Sequence, residues 1–238
     1  GETEPPARIV MGVDELDRVF GGGIVPSSAT LIGGDPGIGK STLLLQVAAR
    51  LARNGLKSVY VSGEDATAQI QERARRLKVA DSTVDLATDT DLRKVLSALK
   101  KAKPDFVVID SIQTMWSDSL EAAPGSVSQV RACGQELTRW AKKSGAAVIL
   151  VGHVTKEGTI PGPRVVEHMV DTDFYFQGER GHHFRILRPV NNRFRPPEEH
   201  GPLEMPQHGP ATHPHPSPPH HGRTSSAIPN KRPPTQRP

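Results

Sequence analysis

The chain of 238 residues is poor in several things. It has one cysteine, Cys133, which excludes an internal disulfide and a four-cysteine zinc site. That usage suits a reducing compartment, and cytoplasmic placement is the expectation. No apolar run approaches the ~18 residues a membrane span needs. Aromatics make up only 4% and hydrophobic residues 35%. Both averages are distorted by one end of the chain. Thirteen of the 22 prolines and six of the ten histidines lie between Pro196 and Pro238. That stretch holds only five apolar residues, Leu203, Met205, Ala211, Ala227 and Ile228. It cannot bury enough surface to offset ~1–2 kcal/mol of backbone entropy per residue, so 196–238 is expected to be a disordered tail. Acid is also missing there: from Gln207 onward Arg223, Lys231, Arg232 and Arg237 stand alone, and they account for the net charge of +4. The body is neutral, so overall charge is no argument for a nucleic-acid surface.

The opening, GETEPP, has no charged-then-apolar leader pattern. Residues 1–8 read as a linker, and the chain as a piece of something longer. Beyond it, short apolar runs alternate with helical periodicity. Helices are expected at 13–20, 40–53, 65–78, 90–102 and from 126 to about 144. Strands are expected at 29–33, 57–62, 84–87, 106–109 and 146–151. Ser126 and Gln129 have capping-box spacing. Around Gly178–Gly181 the runs 172–177 and 182–187 predict an antiparallel hairpin. Continuously apolar strands separated by helices predict a mainly parallel α/β sheet covered on both faces, with the hairpin extending one edge. The domain is expected over 9–195, with 196–205 a remnant of a link.

Residues 34–41, GDPGIGKS, satisfy the phosphate-loop pattern G-x-x-x-x-G-K-[ST]. Glycines let successive backbone N–H groups turn inward toward phosphate oxygens, and the following helix adds its positive dipole end. The nucleotide-binding set is therefore Gly34, Asp35, Pro36, Gly37, Ile38, Gly39, Lys40, Ser41 and Thr42. Lys40 should reach the outer phosphates, and the Ser41 hydroxyl should serve Mg²⁺. Asp110, at the tip of a buried strand, is the second Mg²⁺ candidate. Hydrolysis also needs a group to take a proton from water. Glu64 and its neighbour Asp65 both follow a strand at the same sheet edge, and both could instead cap a helix. His153 reads from position alone as a hydrogen-bonded loop histidine. The basic clusters Arg73, Arg75, Arg76, Lys78 and Lys100, Lys101, Lys103 read as solvated helix faces. The tail histidines His213, His215, His220 and His221 could bind metal but read as an unselected solvated segment.

These motifs occur in an ordered set. GVDELDRVFGGGIVP at 12–26 and LIGGDPGIGKSTLLLQ at 31–46 are followed by YVSGE at 60–64 and VIDSIQT at 108–114. APGSVSQV at 123–130, VGHVTKEG at 151–158 and GPRVVEHMVD at 162–171 complete it. Together they resemble the RecA-like ATPase core of the bacterial RadA/Sms recombination and repair proteins. The resemblance covers about Arg8 to Met205. It implies a DNA-stimulated ATP hydrolase using ATP and Mg²⁺. It further implies a hexameric ring on single-stranded and branched DNA, driving branch migration beside a recombinase partner, away from any membrane. It favours Glu64 as the hydrolytic base and His153 as a γ-phosphate sensor. It also implies a DNA-facing loop over 154–165, with Lys156 and Arg164 as DNA-contact candidates.

Three departures stand out. The family's four-cysteine zinc module is missing, so no zinc is expected. Its Lon-protease-like domain is missing as well, and the abrupt change near 205 suggests truncation or a shifted frame. The family signature Lys-Asn-Arg-Phe-Gly is replaced by Asn191, Asn192, Arg193, Phe194 and Arg195. Asn191 cannot supply a cation to a neighbouring subunit's phosphates, although Arg193 remains. Ser27 also stands where the resemblance implies a Pro-Gly turn. The alternatives to a motor are a nucleotide-gated DNA-binding module, another RecA-like ATPase, or a fragment without activity.

Overall fold

The computed structural model describes residues 7–79, 82–154, 162–178, 184–186 and 203–205. Its frame is one eight-stranded sheet in the order β3-β2-β4-β5-β1-β6-β7-β8. The strands are β1 (Ala29–Gly34), β2 (Ser58–Ser62), β3 (Asp85–Ala87), β4 (Phe106–Asp110), β5 (Ala147–His153), β6 (Thr172–Gly178), β7 (Phe184–Ile186) and β8 (Leu203–Met205). The first six are parallel to their neighbours, and β6, β7 and β8 pair antiparallel. This is the RecA-like P-loop architecture, and the expected hairpin does extend one edge.

Helices cover both faces because the strands alternate. On one side Ile32, Tyr60, Val108 and Ile149 pack with Leu44, Val47, Ala48 and Leu51 of α2 (Lys40–Arg53) and with α1 (Asp14–Val19). Ala74 of α3 (Thr67–Arg76) joins that layer. On the other side Leu31, Val61, Val107, Ile109 and Leu150 pack with Val95 and Leu99 of α4 (Leu92–Ala102). Val130, Leu137 and Trp140 of α5 (Val127–Ser144) complete that core. Cys133 is buried within it. Among the described residues no helix is long and apolar enough to cross a membrane.

Local chemistry sets the ends of these elements. The Ser126 hydroxyl accepts from the Gln129 N–H and opens α5, and Gly145 ends it at φ +87°. The Asp91 carboxylate accepts from the Arg93 N–H at the start of α4. Helix α3 starts at Thr67 rather than 65, with the Gln69 side chain accepting from the Ala66 N–H. Neither Glu64 nor Asp65 is therefore its N-cap. Strand β5 runs on through His153, which is a strand terminus and not a loop residue. Leu203–Met205 form a strand inside the stretch expected to be disordered, paired in register with Phe184–Ile186. Sequence periodicity could not reveal it, because three residues are too few for a period and the partner strand supplies the hydrogen bonds. The rest of 196–238, and most of the expected linker 1–8, lie outside the described residues.

Candidate functional site

Parallel strands in register bring their C-terminal ends to one edge. Gly34 of β1 lies opposite His153 of β5, Asp110 of β4 opposite Val151, and Ser62 of β2 opposite Asp110. Strand β5 sits between β1 and β4. His153 therefore lies between the strand that feeds the glycine loop and the strand that ends in Asp110. The turn after β2 brings Glu64 and Asp65 to the same edge. Between these ends is a cavity of about 340 Å³. That is within the range of small-molecule sites, roughly 300–1,000 Å³.

The glycine loop forms one wall. Gly39 sits at φ +113° as the N-cap of α2, a conformation that residues with a Cβ rarely hold. A Cβ on Gly34 would stand 3.0 Å from the Phe176 carbonyl oxygen, so β6 depends on that glycine for its close approach. Pro36, Gly37, Gly39, Lys40, Ser41 and Thr42 all face the cavity. Lys40 is 2% exposed, and its ammonium donates to the carbonyl oxygens of Gly34 (2.7 Å) and Asp35 (2.8 Å). Burial takes its pKa down to about 8, against the pull of the Asp110, Asp35 and Glu64 carboxylates.

Asp110 is buried beneath the loop. One of its oxygens, Oδ2, accepts from the Ser41 hydroxyl (2.5 Å) and from the Tyr60 hydroxyl (2.5 Å). The Tyr60 pKa is raised by burial and by this carboxylate. The other oxygen, Oδ1, is buried without a hydrogen-bond partner among the described residues. A buried carboxylate oxygen left free beside a serine hydroxyl is a hard donor set of the kind Mg²⁺ takes. Ser41 and Asp110 therefore fit that ion.

Glu64 meets His153 across the cavity, Oε1 to Nε2 at 3.0 Å, and its Oε2 is 3.4 Å from the Ser111 hydroxyl. The bond to His153 holds the Glu64 pKa below the usual carboxylate range, in opposition to burial. The His153 Nε2 also lies 3.8 Å from Asp110 Oδ1. Its main chain is clasped by Gln113, whose side-chain amide donates to the His153 carbonyl (2.8 Å) and accepts from its N–H (3.2 Å).

A family model described as AAA domain matches residues 13–159. The chain belongs to the AAA domain family. It is 59% identical over 210 residues to a DNA repair protein RadA of Brucella abortus, covering 86% of this chain and 45% of that protein. The Bacillus subtilis protein of the same name is 51% identical over 204 residues, covering 86% and 44%. That of Streptococcus pneumoniae is 53% identical over 193 residues, covering 81% and 46%. The chain thus spans less than half the length of these curated relatives. The resemblance read from the motifs is borne out by these matches.

Within this AAA domain, the predicted residues divide into three groups. Lys40, Ser41, Glu64 and His153 line one cavity, Asp110 lies just below it against Ser41 and His153, and the loop residues from Gly34 to Thr42 form or adjoin its wall. Asp65, the rival carboxylate, also lines the cavity but is paired with Arg73 at 2.9 Å. Arg164 stands apart from it, exposed in a short 3₁₀ helix, Pro163–Val166, that packs on α5. Lys156, Asn191, Asn192, Arg193, Phe194 and Arg195 lie outside the described residues.

Sequence reasoning missed four participants. Tyr60 reads as an ordinary strand residue, and Gln113 as part of a turn. Arg73 and Arg76, expected on a solvated face, line the cavity. Periodicity identified the apolar side of α3 but says nothing about what its polar side meets.

Proposed function

We propose that this chain is the ATP-hydrolysing core of a DNA repair protein, a DNA-stimulated motor that acts on recombination intermediates and drives branch migration along single-stranded DNA. The observation that carries the reading is the meeting of Lys40, Ser41, Glu64 and His153 around one cavity, with Asp110 bonded to Ser41 just below it. That set matches what phosphoryl transfer to water requires: a cation on the outer phosphates, ligands for Mg²⁺ and a carboxylate near the attacking water.

In this reading backbone N–H groups of residues 34–41 and the Lys40 ammonium hold the phosphate chain. Ser41 and Asp110 would hold Mg²⁺, which would supply positive charge against the phosphates. Glu64 accepts the proton of the water that attacks the terminal phosphorus. Its carboxylate is ionised at neutral pH, as that task requires, with the bond to His153 holding its pKa below the usual range. His153, bonded to Glu64 and beside Asp110, registers whether the terminal phosphate is present. Support for DNA repair comes from the names of the 50–59% identical relatives. By the same likeness the chain works in the cytoplasm as a ring of identical subunits, hexameric as the resemblance implies, with a recombinase partner. Arg193 would reach a neighbour's site, and Lys156 and Arg164 would face DNA.

Phosphate release with and without single-stranded DNA tests the proposal. The parent should hydrolyse ATP and accelerate when DNA is added. Lys40→Ala should lose turnover, by at least about 100-fold for a lost transition-state cation. Glu64→Gln should bind ATP yet hydrolyse it some 10²–10⁴-fold more slowly. Parent-like turnover in Glu64→Gln would move the base to Asp65. A second reading, a nucleotide-gated DNA-binding module, is favoured by Asn191 in place of the family's lysine. Hydrolysis that DNA leaves unchanged would support it.

A further inference from the structure

Helix α3 contributes two arginines to the wall of the same cavity as Lys40. Arg73 and Arg76 are one turn apart and both line it. Arg75, between them, is exposed and pairs with Glu72 instead. Arg73 is the more enclosed of the two facing inward, with its side chain 24% exposed. It spends one nitrogen on one oxygen, Nη2 to Asp65 Oδ2 at 2.9 Å. A guanidinium fork presents five N–H donors, so most remain for another acceptor.

Two further observations locate Arg73 toward the working end of the cavity. Asp65 is adjacent to Glu64, which contacts His153. Arg73 also opposes the rise in the Tyr60 pKa, and the Tyr60 hydroxyl sits on Asp110. The cavity wall carries the carboxylates of Glu64 and Asp65, with Asp110 just below. A triphosphate adds several more negative charges, and Lys40 is the one lysine on the cavity wall to meet them beside the loop's N–H groups and Mg²⁺. Arginine is the residue suited to gripping phosphate oxygens through two parallel bonds. A phosphate oxygen and the Asp65 carboxylate are competing acceptors of the same kind.

We propose that Arg73 is a phosphate-binding residue that exchanges Asp65 for the terminal phosphate of a nucleoside triphosphate, and so distinguishes triphosphate from diphosphate. This rests on the reading of the cavity as a nucleotide site.

Calorimetric titration of the full chain with a non-hydrolysable ATP analogue and with ADP, each with Mg²⁺, tests it. Arg73→Ala should weaken the analogue by about tenfold or more, the scale of a lost charge-assisted bond, while ADP changes by less than about twofold. Arg73→Lys should recover part of the loss. Arg75→Ala on the same helix should bind both ligands as the parent does. Asp65→Asn, which loosens the hold on Arg73, should leave analogue binding equal or tighter. Arg73→Gln keeps a donor for Asp65 and replaces the alanine variant if that one does not fold. Equal losses for analogue and ADP would reduce Arg73 to a strut, and no loss in a folded variant would overturn the proposal outright. A parent that binds the analogue but ignores the Arg73 change leaves the nucleotide site standing. A parent that binds neither ligand removes both.

Discussion

Lys40 is the residue whose charge is set most visibly by its surroundings. Burial drives its pKa to about 8, while a phosphate chain beside it would drive the value back up. Below about pH 8 the ammonium is already protonated and nucleotide affinity is at its plateau. Above that value a proton must be taken up on binding, so affinity should fall, by at most about tenfold per pH unit. Calorimetry near about pH 9 in two buffers of different protonation enthalpy should reveal the uptake, which should vanish in Lys40→Ala if that variant still binds. Lys40, Ser41 and Asp110 were legible because their spacing answers a fixed ligand geometry. Arg73 was not, because a charged residue on a helix face looks the same whether it meets water or a cavity.

At the scale of elements, the turn before β1 is one of the places where this sequence departs from backbone preference. Ser27 lies at φ +64°, with its N–H donating to the Gly145 carbonyl. A left-handed conformation costs a residue with a Cβ about 1–2 kcal/mol, and glycine gives back part of that through its larger unfolded entropy. Ser27→Gly should therefore stabilise by about 0.5–1 kcal/mol, a rise of roughly 1–4 °C in Tm for a domain of this size. A thermal melt that shows no rise or a fall would mean the serine side chain contributes something its contacts do not reveal. The helices and the first six strands were legible to within a few residues, since each carries its own apolar run and helices α2 and α5 have glycine stops at Gly55 and Gly145, whereas Leu203–Met205 was not. The order of strands was not. Nothing in residues 146–151 announces that they insert between β1 and β4, because order is decided by which helices cross which face.

At the scale of the whole molecule, the described residues form a single sheet with a core on each side, and that arrangement couples the two. Leu44 of α2 and Leu137 of α5 are both fully buried, on opposite faces. Replacing either with alanine should cost about 2–5 kcal/mol, the usual range for a buried leucine. Both losses should appear in one cooperative denaturant transition, identical by circular dichroism and by tryptophan fluorescence. Separate transitions would show that the layers melt independently. The same sheet explains the hold on His153. The Gln113 amide grips the peptide groups on both sides of that residue, as a further strand would. The anchorage fixes the place where β5 lets go of its chain. Both main-chain polar groups of His153 are thereby spoken for, and its imidazole is left as the part of the residue that can answer to a ligand.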